Sequence, residues 1–301
     1  MKKSNKLMFL VVAAVVVIFT YASLQSQSDT DPFGAITKRA ELELKIAQLR
    51  ADLKDKGCTF TVGVNPAMQY TIEQLCNFKP ELGPMVQKDD PIAFEAVKPP
   101  APSDTYYMAA YTSVKDQGSC GSCWAFSTAG MFESVLLKKG ISTDLSEQWL
   151  VSCNTDGWGC NGGYFANKYY LSPGAVLESC FRYKAIDAPC KTGCPYVYIS
   201  TGQGSASNVA AIKDAIKVYG AVSCAVTVTT PFQAYTGGVF NYNSTSPTNH
   251  AVVLVGWDDT LGSAGCWRMK NSWGRSWGDS GMMWIEYGCS NIGSGGNYLK
   301  Y

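Results

Sequence analysis

Apolar and polar positions change rhythm several times along this chain. Lys2, Lys3 and Lys6 precede a nearly unbroken apolar run from Met8 to Ala22, after which small and polar residues take over. That order predicts a signal peptide over residues 1–23. The run is short of the roughly 20 apolar residues of a membrane-spanning helix, so a cleaved signal is favoured over an uncleaved anchor. In "ELELKIAQLRADL", Leu42, Ile46, Leu49 and Leu53 recur at helical spacing and predict one amphipathic helix. A second helix is expected from Cys123 to Lys139, stopped by Gly140, and a third over Ser146 to Ser152. A fourth, amphipathic, should run from Asn208 to Tyr219 and end at Gly220. Beyond it the period shortens. "AVSCAVTVT", "HAVVLVGW", "CWRMKN" and "MMWIEY" are short β-branched or aromatic runs broken by Gly, Asp and Asn, which reads as strands. The order predicts an α+β chain with a helical lobe followed by a β-rich lobe.

Composition divides the chain a second way. Residues 28–96 hold no tryptophan and all eight tryptophans follow position 123, so the proline cluster of "VKPPAPS", 97–103, is the best linker. With 301 residues and 46% hydrophobic content, the chain can bury a large core. Twenty-five basic against 24 acidic residues leave a net charge of +1, which excludes a global basic field for nucleic acid. The expected secretory route changes the reading of the 12 cysteines, since disulfides persist in an oxidising compartment.

"QGSCGSCWAF", residues 117–126, then poses a choice between redox pair, zinc half-site, disulfide framework and nucleophile. No clear strand precedes it, as a thioredoxin-like pair would require. Zinc would need two further ligands; Cys190 and Cys194 are candidates, but an oxidising compartment makes them disulfide cysteines, so no metal is expected. The nucleophile reading needs partners, and they exist. The sole histidine, His250, lies 127 positions after Cys123 (250 minus 123), and Asn271 of "KNSWGRSWG" lies 148 after it (271 minus 123).

With these motifs, residues 103–301 resemble the papain family of cysteine proteases. The resemblance implies Cys123 as nucleophile, His250 as general base and acid, Asn271 as the residue orienting the imidazole, and Gln117 as side-chain donor to an oxyanion. A helix N-terminus and a neighbouring imidazolium would both lower the thiol pKa. Trp273 would shield the Asn and His pair. Gly162 and Gly163 of "GCNGG" fall where the family pairs with extended substrate; Phe165, Ala225, Asn249 and Ala251 fall at its binding subsites, giving an apolar S2 pocket. Core packing is the alternative for Ala225.

The family pattern also implies disulfides of Cys120 with Cys160, and of Cys153 with either Cys190 or Cys194, the remaining one pairing with Cys180. Cys266 and Cys289 flank neighbouring C-terminal strands, and a fourth bridge is expected between them, leaving Cys224 free. "FTVGVNPAMQYTIEQL", residues 60–75, resembles the later part of an inhibitory propeptide, with Gly63 and Asn65 in place but Ala67 and Gln69 where an aromatic and an aspartate usually stand. The fold implied is two-lobed and papain-like, a helical N-terminal lobe and a β-barrel-like C-terminal lobe with the active site in the cleft between. The organisation implied is signal peptide 1–23, propeptide 24–100 and peptidase domain 101–301. A monomeric endopeptidase follows, lysosomal, vacuolar or extracellular, using no cofactor. Its partners would be protein and peptide substrates and its own propeptide, with no nucleic acid and no stable membrane association. A catalytically silent homologue serving as a binding or storage protein is the rival reading.

Overall fold

The computed structural model describes residues 32–83 and 105–301. The expected signal peptide, the linker 97–103 and the boundary at residue 100 lie outside them. Residues up to Lys45 and residues from Ile46 onward form separate units. In chain order the elements are α1 (Pro32–Asp55), β1 (Thr61–Val62), α2 (Ile72–Leu75), β2 (Tyr106–Met108), α3 (Cys123–Lys138), α4 (Glu147–Cys153) and α5 (Asn167–Leu171). There follow β3 (Gly202–Ala206), α6 (Val209–Tyr219), β4 (Val222–Val226), α7 (Thr230–Gln233), β5 (Tyr235–Gly237) and β6 (Val239–Phe240). The chain closes with β7 (His250–Asp258), β8 (Cys266–Lys270), β9 (Met282–Glu286) and β10 (Gly296–Lys300). Among the described residues no helix is long and apolar enough to cross a membrane.

Local chemistry accounts for the ends of these elements. Ser146 Oγ accepts from the Trp149 amide (3.0 Å) and Asn208 Oδ1 from the Ala211 amide (2.9 Å), capping α4 and α6. Thr71 and Gln74 form a reciprocal capping box at α2. α6 stops at Gly220, whose φ of 119° is open to glycine. The helices expected from the sequence all form, and α1 is longer than its apolar spacing indicates, at 24 residues.

The large sheet has the order β3-β10-β4-β7-β8-β9-β6, with β2 adding to β7. β7 is flanked by β4 and β8 and lies against α3, so residues 250–257 are buried without a break. That burial on every side explains why "HAVVLVGW" is apolar throughout instead of alternating. Two apolar cores result. One surrounds α3, the other fills the sheet-rich part with Phe232, Phe240, Trp267 and Trp277. The expected barrel-like lobe is corrected here: β3 and β6 end the strand order without pairing with each other, so the sheet is open.

The disulfides are Cys120–Cys160, Cys153–Cys190 and Cys180–Cys194, which resolves the choice left by the sequence. The expected Cys266–Cys289 bridge is absent. Cys266 is locked in register between Asp258 and Glu286, whereas Cys289 lies past the end of β9, where its thiol donates to the Tyr242 carbonyl at 3.2 Å.

Candidate active site

α3 begins at Cys123, and its N-cap, Ser122, makes no side-chain bond to the first turn. The amides of Trp124, Ala251, Asn77 and Phe78 lie close enough to the Cys123 sulfur to act toward lowering its pKa. His250 opens β7 and Asn271 directly follows β8, its antiparallel neighbour. The ladder brings the two side chains together, with His250 Nε2 2.8 Å from Asn271 Oδ1. Asn271 Oδ1 also accepts from the Ser272 amide at 2.9 Å, so it is the oxygen, and Nε2 of the imidazole carries the hydrogen. Nδ1 is buried without a hydrogen-bond partner. Trp273 stacks on the imidazole at 4.8 Å between ring centres. Cys123 lies beside β7 at its N-terminal end, where the amide of Ala251, the residue after His250, acts on the sulfur.

Gln117 is held at both ends. Its Oε1 accepts from Ser272 Oγ at 2.6 Å, and its Nε2 donates to the carbonyls of Cys120 at 2.8 Å and Leu75 at 2.9 Å. The donor expected for an oxyanion is thus engaged by a carbonyl from the N-terminal part of the chain. Leu75 begins a stretch that crosses the whole site. Phe78 donates its amide to the Asn249 carbonyl (2.9 Å) and Lys79 donates to that of Gly163 (2.9 Å). The Gly163 amide donates to the Asn77 carbonyl (3.2 Å). The pairing of Phe78 with Gly163 is parallel. Gly163 is required here, since a Cβ would lie 2.8 Å from the Trp124 indole. Phe78 packs its ring on Tyr164 and Phe165, at 5.2 and 4.7 Å between centres. Ala225 and Ala251 face each other across β4 and β7 and belong to the same apolar cluster.

Burial pushes the Cys123 thiol up to about 11, against the amides that pull it down. Burial also brings His250 down to about 4, with the Asn271 bond opposing. For each group the cause is desolvation, which disfavours the charged form and acts against the thiolate and imidazolium that the resemblance implies.

All four expected catalytic residues meet at one place, as do Gly163, Phe165, Asn249, Ala251 and Trp273. Gly162, at φ 117°, supports the turn beside them. The sequence did not single out Ser272, Tyr164 or the stretch Cys76–Lys79. An aromatic at position 78, three residues past the "FTVGVNPAMQYTIEQL" segment, was the available signal.

Residues 100–297 match the family described as "Papain family cysteine protease". The chain is 37% identical over 201 residues to "Vignain" of Ricinus communis, covering 64% of this chain and 56% of that protein. It is 35% identical over 246 residues to "Cathepsin L-like proteinase" of Fasciola hepatica, covering 75% of this chain and 73% of that protein. Its fold is similar to that of digestive procathepsin L 3 from Tenebrio molitor larval midgut, with a TM-score of 0.73 at 28% identity over 91% of this chain and 95% of that one. The chain spans a little over half the length of several curated relatives, vignain among them. By the extent of the family match and the Fasciola relative, it belongs to the papain family of cysteine proteases.

Proposed function

We propose that this chain is the proenzyme of a cysteine endopeptidase, with residues 1–23 as signal peptide, 24–100 as propeptide and 101–301 as peptidase domain. Relatives named as cysteine proteases and a procathepsin of similar fold support the reading. The observation that carries it is the engagement of the cleft by residues 75–79. The Gln117 amide, the Asn249 carbonyl and both polar groups of Gly163 are taken up by backbone that does not belong to the catalytic core. A cleft that offers so many hydrogen-bonding groups to backbone is built to hold an extended peptide.

In the uncovered enzyme, solvent returns to the cleft and the Cys123 thiol loses its proton to His250 Nδ1. The thiolate attacks the scissile carbonyl carbon, and Gln117 Nε2 and the Cys123 amide donate to the oxyanion that forms. The imidazolium gives its proton to the leaving amine, and the acyl-enzyme remains. His250 then takes a proton from water, which attacks the thioester and releases the acid. Asn271 keeps Nε2 occupied and so leaves Nδ1 for this traffic. Phe78, seated on Tyr164 and Phe165, stands in for a substrate side chain and supports an apolar preference at P2. The enzyme is proposed to follow the secretory route to a lysosome or vacuole or out of the cell.

The test is to treat the purified chain at acid pH, sequence the new N-terminus and label with an epoxide inhibitor. Labelling at Cys123, with turnover of peptides bearing Leu, Val or Phe at P2, is expected. Absence of labelling in a folded, N-terminally cleaved protein overturns the proposal in favour of a silent homologue.

A further inference from the structure

Six cysteines among the described residues are free, and three of them, Cys58, Cys266 and Cys289, lie near one another where the N-terminal segment meets the sheet-rich part. Residues 56–60 run along residues 239–242. The Thr59 amide donates to Asn241 Oδ1 (3.2 Å) and its hydroxyl to the Val239 carbonyl (3.3 Å). The Phe60 ring lies 4.5 Å from that of Phe240, and Lys56 Nζ sits 4.9 Å above the ring of Tyr242. The Cys289 thiol donates to the Tyr242 carbonyl of the same stretch at 3.2 Å. Cys58 and Cys289 thus both border residues 239–242, and Cys58 packs against the apolar cluster that holds Cys289.

We propose that Cys58 and Cys289 are a thiol pair that oxidises to a disulfide, tethering the N-terminal segment covalently to the sheet-rich lobe. Electrostatics agree with the proximity. Burial pushes the Cys289 thiol up to about 12, and Glu286 and Cys58 are the negative neighbours that add to it. Burial also raises Cys58, but Lys56 beside it acts in the opposite direction. Cys58, only half-buried, is the thiol a solute can reach. Cys266 is fully buried in the β8 ladder.

The oxidant is a small-molecule disulfide such as oxidised glutathione. The Cys58 thiolate attacks one of its sulfurs, forming a mixed disulfide and releasing one thiolate. Cys289 then gives up its proton and attacks the Cys58 sulfur. The second small thiolate leaves, so two protein thiols are oxidised and one disulfide is reduced to two thiols. The bond itself does not depend on the function proposed above; its regulatory meaning does. If residues 75–79 cover the active site, the tether keeps them there even after the chain is cut between residues 83 and 105, and only a reductant releases them.

The experiment uses the full chain as Cys123→Ala, incubated with oxidised glutathione, alkylated and mapped without reduction. A peptide pair joining Cys58 to Cys289 is expected, and it is lost in Cys58→Ser and in Cys289→Ala. Finding both thiols alkylated, or Cys289 joined to Cys266, overturns the proposal. In the chain with Cys123 intact, the oxidised and then cleaved protein should label with the epoxide inhibitor about 100-fold more slowly than Cys58→Ser treated alike, the effect of a tethered blocker at high effective concentration. Equal rates overturn the tether. Failure of the protease reading looks different: the reduced, cleaved protein is then inert whatever stands at position 58.

Discussion

Burial holds the His250 pKa below its ordinary value, and this gives the folded chain a pH dependence of definite sign. Its pKa of about 4 lies below the ordinary 6.5, so the folded chain binds fewer protons than the unfolded one between those values. The stabilisation is complete above pH 6.5 and is lost as pH falls toward 4, a difference of about 3 kcal/mol at most. Measured as thermal stability of the Cys123→Ala chain, the fall between pH 6.5 and 4 should shrink when His250→Ala is added. Parallel curves for the two proteins would sink the argument. Gln117 is the second residue whose role can be isolated. In the cleaved enzyme Gln117→Ala should lower kcat by about 10²–10³ with little change in KM, the cost of one oxyanion donor. A change confined to KM would assign it to substrate binding instead. Cys123, Gln117, His250 and Asn271, which the structure gathers at one place, were marked by the sequence because each sits in a motif with a distinctive side chain and spacing. The contacts of Leu75, Asn77 and Lys79 were not, since they run through backbone groups that every residue carries. Ser272 and Tyr164 were hidden for a related reason: a hydroxyl that steadies an amide and an aromatic that stacks are too common to stand out.

At the scale of elements, the N-terminal segment is held by small pieces, each modest alone. β1 pairs antiparallel with β5, Asn65 Nδ2 donates to the Gln233 carbonyl at 2.9 Å, and Phe78 is buried to 4% exposure. Phe78→Ala removes the ring packed on Tyr164 and Phe165, about 3–5 kcal/mol by the usual cost of such truncations in packed cores. Epoxide labelling of Cys123 in the uncut chain should then accelerate; an unchanged rate would mean that Phe78 does not hold the cover. A different device joins α3 to α4. Lys115 Nζ lies 3.0 Å from Glu133, 2.8 Å from Glu147 and 2.6 Å from Asp144, and the two glutamates are buried. Their negative charge holds the lysine well above its ordinary pKa against burial. Lys115→Met leaves those carboxylates unpaired and should cost about 3–5 kcal/mol in denaturant unfolding, whereas change under 1 kcal/mol would show that they simply take up protons. Helix and strand positions were legible because burial imposes period and capping residues mark ends. The length of α1 was not, because the apolar spacing marks only its inward turns from Leu42 onward.

For the whole molecule, the misread Cys266–Cys289 bridge shows where sequence spacing stops informing. Two cysteines at the ends of adjacent strands look alike whether the chain continues along the ladder or turns under it, and here it turns. The open sheet was hidden in the same way, since closure depends on whether the two terminal strands meet. One plain property of the chain has a practical use at this scale. His250 is its only histidine and sits at the centre of the site, one ring nitrogen bonded to Asn271 and the other without a partner. Selective nitrogen-15 labelling of histidine would therefore yield a single pair of ring resonances, free of overlap and assigned without further work. Their shifts report tautomer and charge directly, so one spectrum per pH value would follow the uncovering of the cleft from inside it. The molecule carries its own spectroscopic electrode at the position where the proton moves.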